Sequence, residues 1–334
     1  MRGILVGLGR QSRGWFRDCA AHPDIDLVAF VDTQEAARTQ FIADCGVDVR
    51  GVFARLSDAI EGARADFILD VTPPAAHKAV ALQAIAAGLH LLGEKPMCET
   101  VADARQVAAA GAAAGVTHMI TQNFRFGPLP RTTRRLVAEG AIGAPGQLSI
   151  SFFVPWADRP GTHYVTLPYM FLTDMCIHHF DMMRCVLGAD PTAVRTQSWN
   201  QPWGWHRGDA CHVAVFDFPG GLKAIHLGMG CSLGRQTTAN GDWRIEGPEG
   251  SITWEDDRIV LAREHRTETK RRQTIEPDAL PAVGKAAMLN EFVAAIREKR
   301  PPECSAADNV RSLAMTLAAV RSAKTGKKVS IAEA

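Results

Sequence analysis

The chain has almost no net charge: 37 Lys and Arg stand against 36 Asp and Glu in 334 residues. That balance argues against nucleic acid or an acidic membrane surface as the main partner. It also lacks an apolar run long enough to span a bilayer, and Met1-Arg2-Gly3-Ile4 leads straight into a strand pattern with no signal peptide. A cytoplasmic, non-membrane protein is the expectation. The eight cysteines (Cys19, Cys45, Cys98, Cys176, Cys185, Cys211, Cys231 and Cys304) lack any C-x-x-C pair or zinc-ribbon spacing. Most sit in apolar patterns, where a reduced cysteine behaves as a small hydrophobe. Neither a disulfide frame nor a metal is expected. Internal repeats and low-complexity tails are absent too.

What is present divides in two, as the length suggests. Residues 1–122 alternate short apolar strands (Arg2–Val6, Asp26–Val31, Phe67–Val71, Leu89–Leu92, Thr117–Thr121) with Ala-rich helices, notably Ala75–Ala87 and Ala102–Ala114. The helices stop at Gly46, Gly88 and Gly115. This order predicts an α/β domain with a Rossmann-type parallel sheet covered on both faces. Residues 123–334 form the second expected domain. They read as an α+β fold, with a helix over Leu129–Glu139, a strand over Gln147–Val154, a helix over Tyr169–Leu187 and mostly strands from Ala193 to Val260. Cys211–Phe218 and Leu222–Gly230 predict a hairpin around Pro219-Gly220-Gly221. Helices over Lys285–Lys299 and Ala306–Lys324 close the chain. A large, open, mostly antiparallel sheet is the expectation for this half.

Gly7-Leu8-Gly9-Arg10-Gln11-Ser12 follows the first strand and opens the first helix. Glycines at its first two positions let backbone N–H groups approach a pyrophosphate, while Ser12 stands where a third glycine is usual. Asp32 ends the second strand, where a carboxylate accepts the ribose hydroxyls of NAD and repels the extra phosphate of NADP. The competing reading of Asp32 is a cap for the helix over Thr33–Ala43. NAD is the expected cofactor, and Arg10 and Arg13 keep NADP within reach.

The segment Gly93-Glu94-Lys95-Pro96 places a lysine at a strand's carboxyl end, where open α/β sheets bind ligands. In the second half, Asp174 and His178 are spaced i, i+4 in an otherwise apolar helix, with Asp181 three residues further on. A carboxylate beside a histidine fixes its tautomer and supports its charged form, as general base catalysis requires. A metal site made from His178, His179 and Asp181 is disfavoured, because adjacent histidines diverge on a helix. His178 with Asp174 is the expected base and Lys95 the expected donor to a developing oxyanion. The two would meet across an interdomain cleft.

Several separated motifs occur together: Val71-Thr72-Pro73-Pro74-Ala75-Ala76-His77, Ala87-Gly88-Leu89-His90, Glu94-Lys95-Pro96, Asn123-Phe124-Arg125-Phe126, Glu139-Gly140-Ala141-Ile142-Gly143 and Ser322-Ala323-Lys324-Thr325-Gly326. In this order they resemble the glucose–fructose oxidoreductase, inositol dehydrogenase and rhizopine-catabolism (Gfo/Idh/MocA) family over essentially the whole chain. The resemblance implies an NAD(P)-dependent dehydrogenase acting on CH–OH groups, with Lys95, Asp174 and His178 as the catalytic groups. It also implies that Thr72, Pro73, Pro74 and His77 line the cofactor, that Glu94 lies near the nicotinamide ribose, and that the chain forms a homodimer or homotetramer through its open sheet. The chain departs from the family pattern at Ser12, at Leu167–Thr173 and at Cys176.

Asn123 and Arg125 of the fourth motif are expected beside the substrate. The stretch Trp199–Asp209 holds three of the seven tryptophans, whose indole faces can pack on a sugar ring while Asn, His and Arg donate hydrogen bonds. Trp205 and His206 are the expected substrate contacts here, and an aromatic subunit interface or a loop anchor is the competing reading. A second loop offers Trp156, with Asp158, Arg159, His163 and Tyr164 nearby. A neutral sugar, polyol or cyclitol is the expected substrate class. A redox-assisted glycosidase that retains NAD, or an NAD-holding sensor, are the alternatives.

Overall fold

The computed structural model describes residues 1–158, 163–263 and 271–333. Arg159 and the side chains of His163 and Tyr164 lie outside the described residues. The chain divides into one unit of residues 1–123 and 282–310 and a second of residues 124–281 and 311–334. The first boundary falls within a residue of the expected one. Residues 282–310, however, return to the first unit, whereas the sequence reading assigned everything after residue 122 to the second. The cause is packing that sequence order does not reveal. The Phe292 ring meets Phe67 edge-on at 5.5 Å, the Ile120 N–H donates to the Cys304 carbonyl at 2.8 Å, and the Lys285 ammonium lies 4.3 Å over the Trp15 ring.

In the first unit the elements run β1 (Arg2–Val6), α1 (Ser12–Ala20), β2 (Asp26–Val31), α2 (Glu35–Cys45), β3 (Val52–Phe53), α3 (Leu56–Gly62), β4 (Phe67–Asp70), α4 (Pro74–Ala86), β5 (His90–Gly93), α5 (Val101–Ala114) and β6 (His118–Ile120). The sheet order is β3-β2-β1-β4-β5-β6, with every pair parallel. Strands covered on both faces need continuous apolar runs, and Ile4-Leu5-Val6, Phe67-Ile68-Leu69 and Leu91-Leu92 supply them, all buried. This is the doubly wound order, whose direction reverses between β1 and β4. The carboxyl ends of those two strands carry Gly7 and Val71. Strand β3 and helix α3 were absent from the sequence reading, because two strand residues are too few to show a period.

The second unit contains α6 (Pro128–Ala138), β7 (Gln147–Phe153), α7 (Cys176–Leu187), β8 (Ala193–Trp199), β9 (Cys211–Asp217), β10 (Lys223–Met229), β11 (Asp242–Gly247), β12 (Gly250–Glu255), β13 (Arg258–Arg263), β14 (Arg271–Ile275) and β15 (Val329–Ser330). Helix α8 (Gly284–Glu298) belongs to the first unit, and α9 (Ala306–Thr325) begins there and runs on into the second. The nine-stranded sheet has the order β14-β13-β12-β11-β7-β10-β9-β8-β15. Its pairs are antiparallel apart from β7 with β10. The expected hairpin at Pro219-Gly220-Gly221 joins β9 to β10. Alternate residues of β7, β9 and β10 are buried: Ile150, Phe152, Ala214, Phe216, Ala224 and His226. Helix α7 packs on that face, with the Phe180 ring 4.8 Å from Phe216 and the His179 ring 4.3 Å from Phe152.

The helix expected over Tyr169–Leu187 is not uniform. Phe171–Met175 forms a π-helical turn, and the regular α-helix begins at Cys176. Such wider turns concentrate at functional sites. Asp174 sits in this one.

Candidate active site

The glycine loop is shaped by two different needs. A Cβ on Gly7, where φ is +90°, would lie 2.7 Å from the Thr72 backbone nitrogen. Close approach of the loop after β4 therefore demands glycine there. A Cβ on Gly9 would meet nothing within 4 Å. Protein packing leaves Gly9 open, and that opening, beside the first N–H groups of α1, is what a pyrophosphate needs. Ser12 is buried and donates its hydroxyl to the Gly9 carbonyl at 2.6 Å, bracing the loop where a third glycine was expected. Arg10 and Gln11 are exposed at the loop's tip.

Asp32 does not cap α2, whose N-cap is Gln34. One carboxylate oxygen accepts from the Gln34 N–H at 2.8 Å, ahead of α2, and the other accepts from the Leu8 N–H at 2.8 Å. The carboxylate is thus tied to the glycine loop while each oxygen retains a lone pair for a ribose hydroxyl. Arg13 is committed to Asp44 and to the Leu8 and Gly9 carbonyls. Sequence reasoning overlooked Arg38, whose guanidinium donates to the Asp32 and Thr33 carbonyls at 2.8 and 3.1 Å. Its spacing from Asp32 on α2 was the available signal.

At the end of β5, Glu94 is a hub rather than an open ligand. Its Oε1 accepts from the Trp15 indole at 2.8 Å, and its Oε2 accepts from the Thr121 hydroxyl at 2.8 Å and the Lys95 N–H at 3.2 Å. Neither Trp15 nor Thr121 was singled out from the sequence, and no local pattern links them to Glu94. Lys95 is half-buried and precedes a cis Pro96. His77 is buried in α4, with Nδ1 2.7 Å from the Pro96 carbonyl and Nε2 2.8 Å from the Thr72 carbonyl. Expected to line the cofactor, it ties the Thr72 turn to the Lys95-Pro96 turn. Thr72 is held by Asp70, which accepts from its N–H at 3.0 Å and from its hydroxyl at 2.6 Å. Burial pushes the Asp70 carboxyl up, opposed by His77. Pro73 and Pro74 are exposed, and Pro74 starts α4.

In the second unit, His178 is buried and its ring lies flat on Phe124, 4.4 Å between centroids and 10° between planes. Asp174 is half-buried in the π-helical turn. Asp181, expected on the same side as His178, is taken by Arg125 instead, from Nε at 2.7 Å and Nη2 at 2.5 Å. Two donors of Arg125, expected beside the substrate, are thereby committed to a buried pair. Asn123 opens the short helical turn Asn123–Phe126 and is half-buried.

The tryptophan loops brace one another. The Trp205 indole donates to the Trp156 carbonyl at 2.9 Å, the Trp156 indole to the Met170 sulfur at 3.0 Å, and the Trp203 indole to the Cys231 carbonyl at 3.2 Å. Anchoring accounts for their N–H groups. His206 is buried, and burial lowers its pKa against the Trp156 backbone. At hydrogen-bond geometry neither of its ring nitrogens finds a partner, nor does the buried Asn200 Oδ1.

The profile of the oxidoreductase family's NAD-binding Rossmann fold matches residues 1–122, and that of the family's C-terminal alpha/beta domain matches residues 134–331. The chain belongs to the Gfo/Idh/MocA oxidoreductase family. Like its relatives, this Gfo/Idh/MocA member carries an NAD-binding Rossmann domain, and the open Gly9 and the anchored Asp32 fit that cofactor. Inositol 2-dehydrogenase of Rhizobium meliloti is 28% identical over 340 residues, covering 98% of each chain. D-apiose dehydrogenase of Paraburkholderia graminis is 24% identical over 342 residues, covering 99% of this chain and 89% of that one. An oxidoreductase from Agrobacterium radiobacter, crystallised with NAD+, L-tartaric acid and magnesium, shares the fold at a TM-score of 0.88 with 19% identity, covering 100% of this chain and 99% of its own. Among the described residues, no helix is long and apolar enough to cross a membrane.

Proposed function

We propose that this oxidoreductase oxidises a CH–OH group of a neutral sugar, polyol or cyclitol, or reduces the matching ketone, with NAD as its partner. The observation that carries the reading is Lys95, held at the carboxyl end of a Rossmann strand by Glu94 and by the His77 link to Pro96. Names of relatives, an inositol dehydrogenase and an apiose dehydrogenase, support the substrate class. Bound NAD supplies the hydride acceptor at its nicotinamide ring. The Lys95 ammonium donates to the hydroxyl oxygen, where negative charge develops. His178 takes the hydroxyl proton, and the Asp174 carboxylate orients its ring and supports the imidazolium. Phe124 limits the ring's freedom by stacking. Asn123, Arg125, Trp156, Trp205 and His206 are the proposed substrate side, with His206 and Asn200 offering the buried polar atoms for sugar hydroxyls.

The outer face of the second unit's sheet supports a homo-oligomer. Phe153, Val213, Val215, Ile225, Leu227 and Met229 alternate with the buried set and remain half-exposed, a patch that self-association would cover. A homodimer or homotetramer in the cytoplasm, where pyridine nucleotides are abundant, is the proposed state.

The test is a screen of sugars, inositols and sugar acids with NAD and NADP, followed by Lys95→Ala and His178→Ala on the best substrate. Each variant is expected to lose roughly 10²–10⁴ in kcat. Full turnover in both would overturn the assigned roles.

A further inference from the structure

Cys176, His212 and His226 lie in the core of the second unit, and hydride transfer uses none of them. They come from α7, β9 and β10, and all are buried. Cys176 Sγ, one nitrogen of His212 and one of His226 all lie within 4.8 Å of one another. His212 Nε2 stands 2.9 Å from His226 Nδ1 and 3.8 Å from Cys176 Sγ. Two imidazole nitrogens and a thiolate on one tetrahedral ion lie about 3.3–3.6 Å apart at ordinary bond lengths. The His212–His226 and Cys176–His212 separations lie within about half an ångström of those values, and the Cys176 sulfur lies no more than 4.8 Å from the His226 nitrogen.

The surrounding hydrogen bonds prepare one ligand. The Ala239 carbonyl can only accept, so His179 donates from Nε2 at 2.8 Å, and in the neutral ring its Nδ1 accepts from His226 Nε2 at 2.9 Å. That leaves a lone pair on His226 Nδ1, facing His212. A metal-bound histidine has this arrangement, its second ring N–H held by a neighbouring group.

The sheet also makes room for the other imidazole. Gly228 sits opposite His212 across β9 and β10, and a Cβ there would lie 2.2 Å from His212 Cε1. Any side chain at 228 would displace the ring.

We propose that Cys176, His212 and His226 form a binding site for a thiophilic closed-shell cation, Cu+ or Zn2+. One thiolate and two neutral imidazoles carry a single negative charge, which a monovalent ion cancels and a divalent ion exceeds by one. Soft thiolate ligands select such ions. On binding, the Cys176 thiol proton leaves to solvent, and the His212 proton moves from Nε2 to Nδ1 to free its ligating lone pair. The ion would clamp α7 to β9 and β10. The proposal is independent of the dehydrogenase reading, since it concerns residues with no part in it.

The experiment uses the full chain, purified under reducing conditions and incubated separately with Zn2+ and with Cu+ before desalting and elemental analysis. One ion per chain is expected from one of the two arms, and its loss is expected in Cys176→Ala but not in Cys304→Ala. Retention of less than a tenth of an equivalent in both arms would overturn the site, as would full retention in Cys176→Ala. If Cys176→Ala fails to fold, X-ray absorption of the loaded wild-type protein decides. One sulfur and two imidazole nitrogens support the assignment, and a shell without sulfur overturns it.

Discussion

Arg125 and Asp181 form a bidentate ion pair inside the second unit, with nitrogen–oxygen distances of 2.7 and 2.5 Å and hardly any exposure of either side chain. The Ser312 hydroxyl donates to the same carboxylate at 2.7 Å and accepts from Arg184 at 2.8 Å, and Arg184 also donates to Asp190 at 2.5 Å. The pair therefore fastens the turn after Asn123 to α7, and Ser312 joins α7 to α9.

Breaking that pair from one side should be costly, because it strands a buried charge. Asp181→Asn is expected to lower unfolding free energy by about 3–5 kcal/mol. Arg125→Met with Asp181→Leu should cost less than either single change, since no charge is left behind. Urea denaturation of the wild type, the single variants and the double variant checks this, and a single-variant loss under about 1 kcal/mol would contradict a buried, desolvated pair.

Gly7 and Gly9 should respond differently to alanine. Gly7→Ala drives a methyl into the Thr72 backbone at a positive φ, with an expected loss of about 1–3 kcal/mol in stability. Gly9→Ala meets open space and should leave stability within about 0.5 kcal/mol of wild type. It should nevertheless weaken NADH binding, measured by nicotinamide fluorescence. Unchanged NADH affinity in Gly9→Ala would remove the pyrophosphate from this loop.

Asp32→Ala should lower NADH affinity about tenfold, the loss of about 1.4 kcal/mol of charge-assisted hydrogen bonding. NADPH binding should improve in the same variant, because the repulsive carboxylate is gone and the Arg38 guanidinium lies against the Asp32 backbone. Adding Arg38→Ala should cancel the NADPH gain. An NADPH affinity indifferent to Arg38 would rule out its guanidinium as the partner of a 2′-phosphate.

His118, in β6, is buried, and desolvation pushes its pKa down to about 3 from 6.5. The unfolded chain thus binds a proton that the folded chain refuses. The stability held by the neutral ring is fully present above pH 6.5 and is lost as pH falls from there toward about 3. His179, pushed down to about 4 by the same cause, adds to the loss in the upper part of that window. Each ring contributes a slope of up to about 1.4 kcal/mol per pH unit. Denaturation at a series of pH values should show this slope, and His118→Leu should reduce it by one proton's worth. An unchanged slope would mean that His118 is not buried neutral.

The first unit was readable because its signals are local. Apolar strand runs, Ala-rich helices and a glycine loop followed by Asp32 each occupy a few consecutive residues, and repeated alternation implies a parallel sheet. The site residues were legible to different depths. Lys95 stood out as a charge at the end of a buried strand, and Asp174 and His178 as polar groups in an apolar helix. Reading them at regular α-helical spacing missed the π-helical turn over Phe171–Met175. Arg125 and His77 were found, but the partners they hold were not, because nothing near them in sequence points to Asp181 or the Pro96 carbonyl.

The sequence by itself determined the two-part architecture, the dinucleotide loop and the identity of Lys95, Asp174 and His178 as the groups to consider. Period and strand-end position are properties of neighbouring residues, so a single chain displays them. Only the tertiary structure decided that Trp15 holds Glu94 from 79 residues away, that residues 282–310 return to the first unit, and that Cys176, His212 and His226 converge. Those contacts join elements distant in the chain. Their energy comes from burial and hydrogen-bond geometry in the folded core, which leaves no periodic trace in the order of residues.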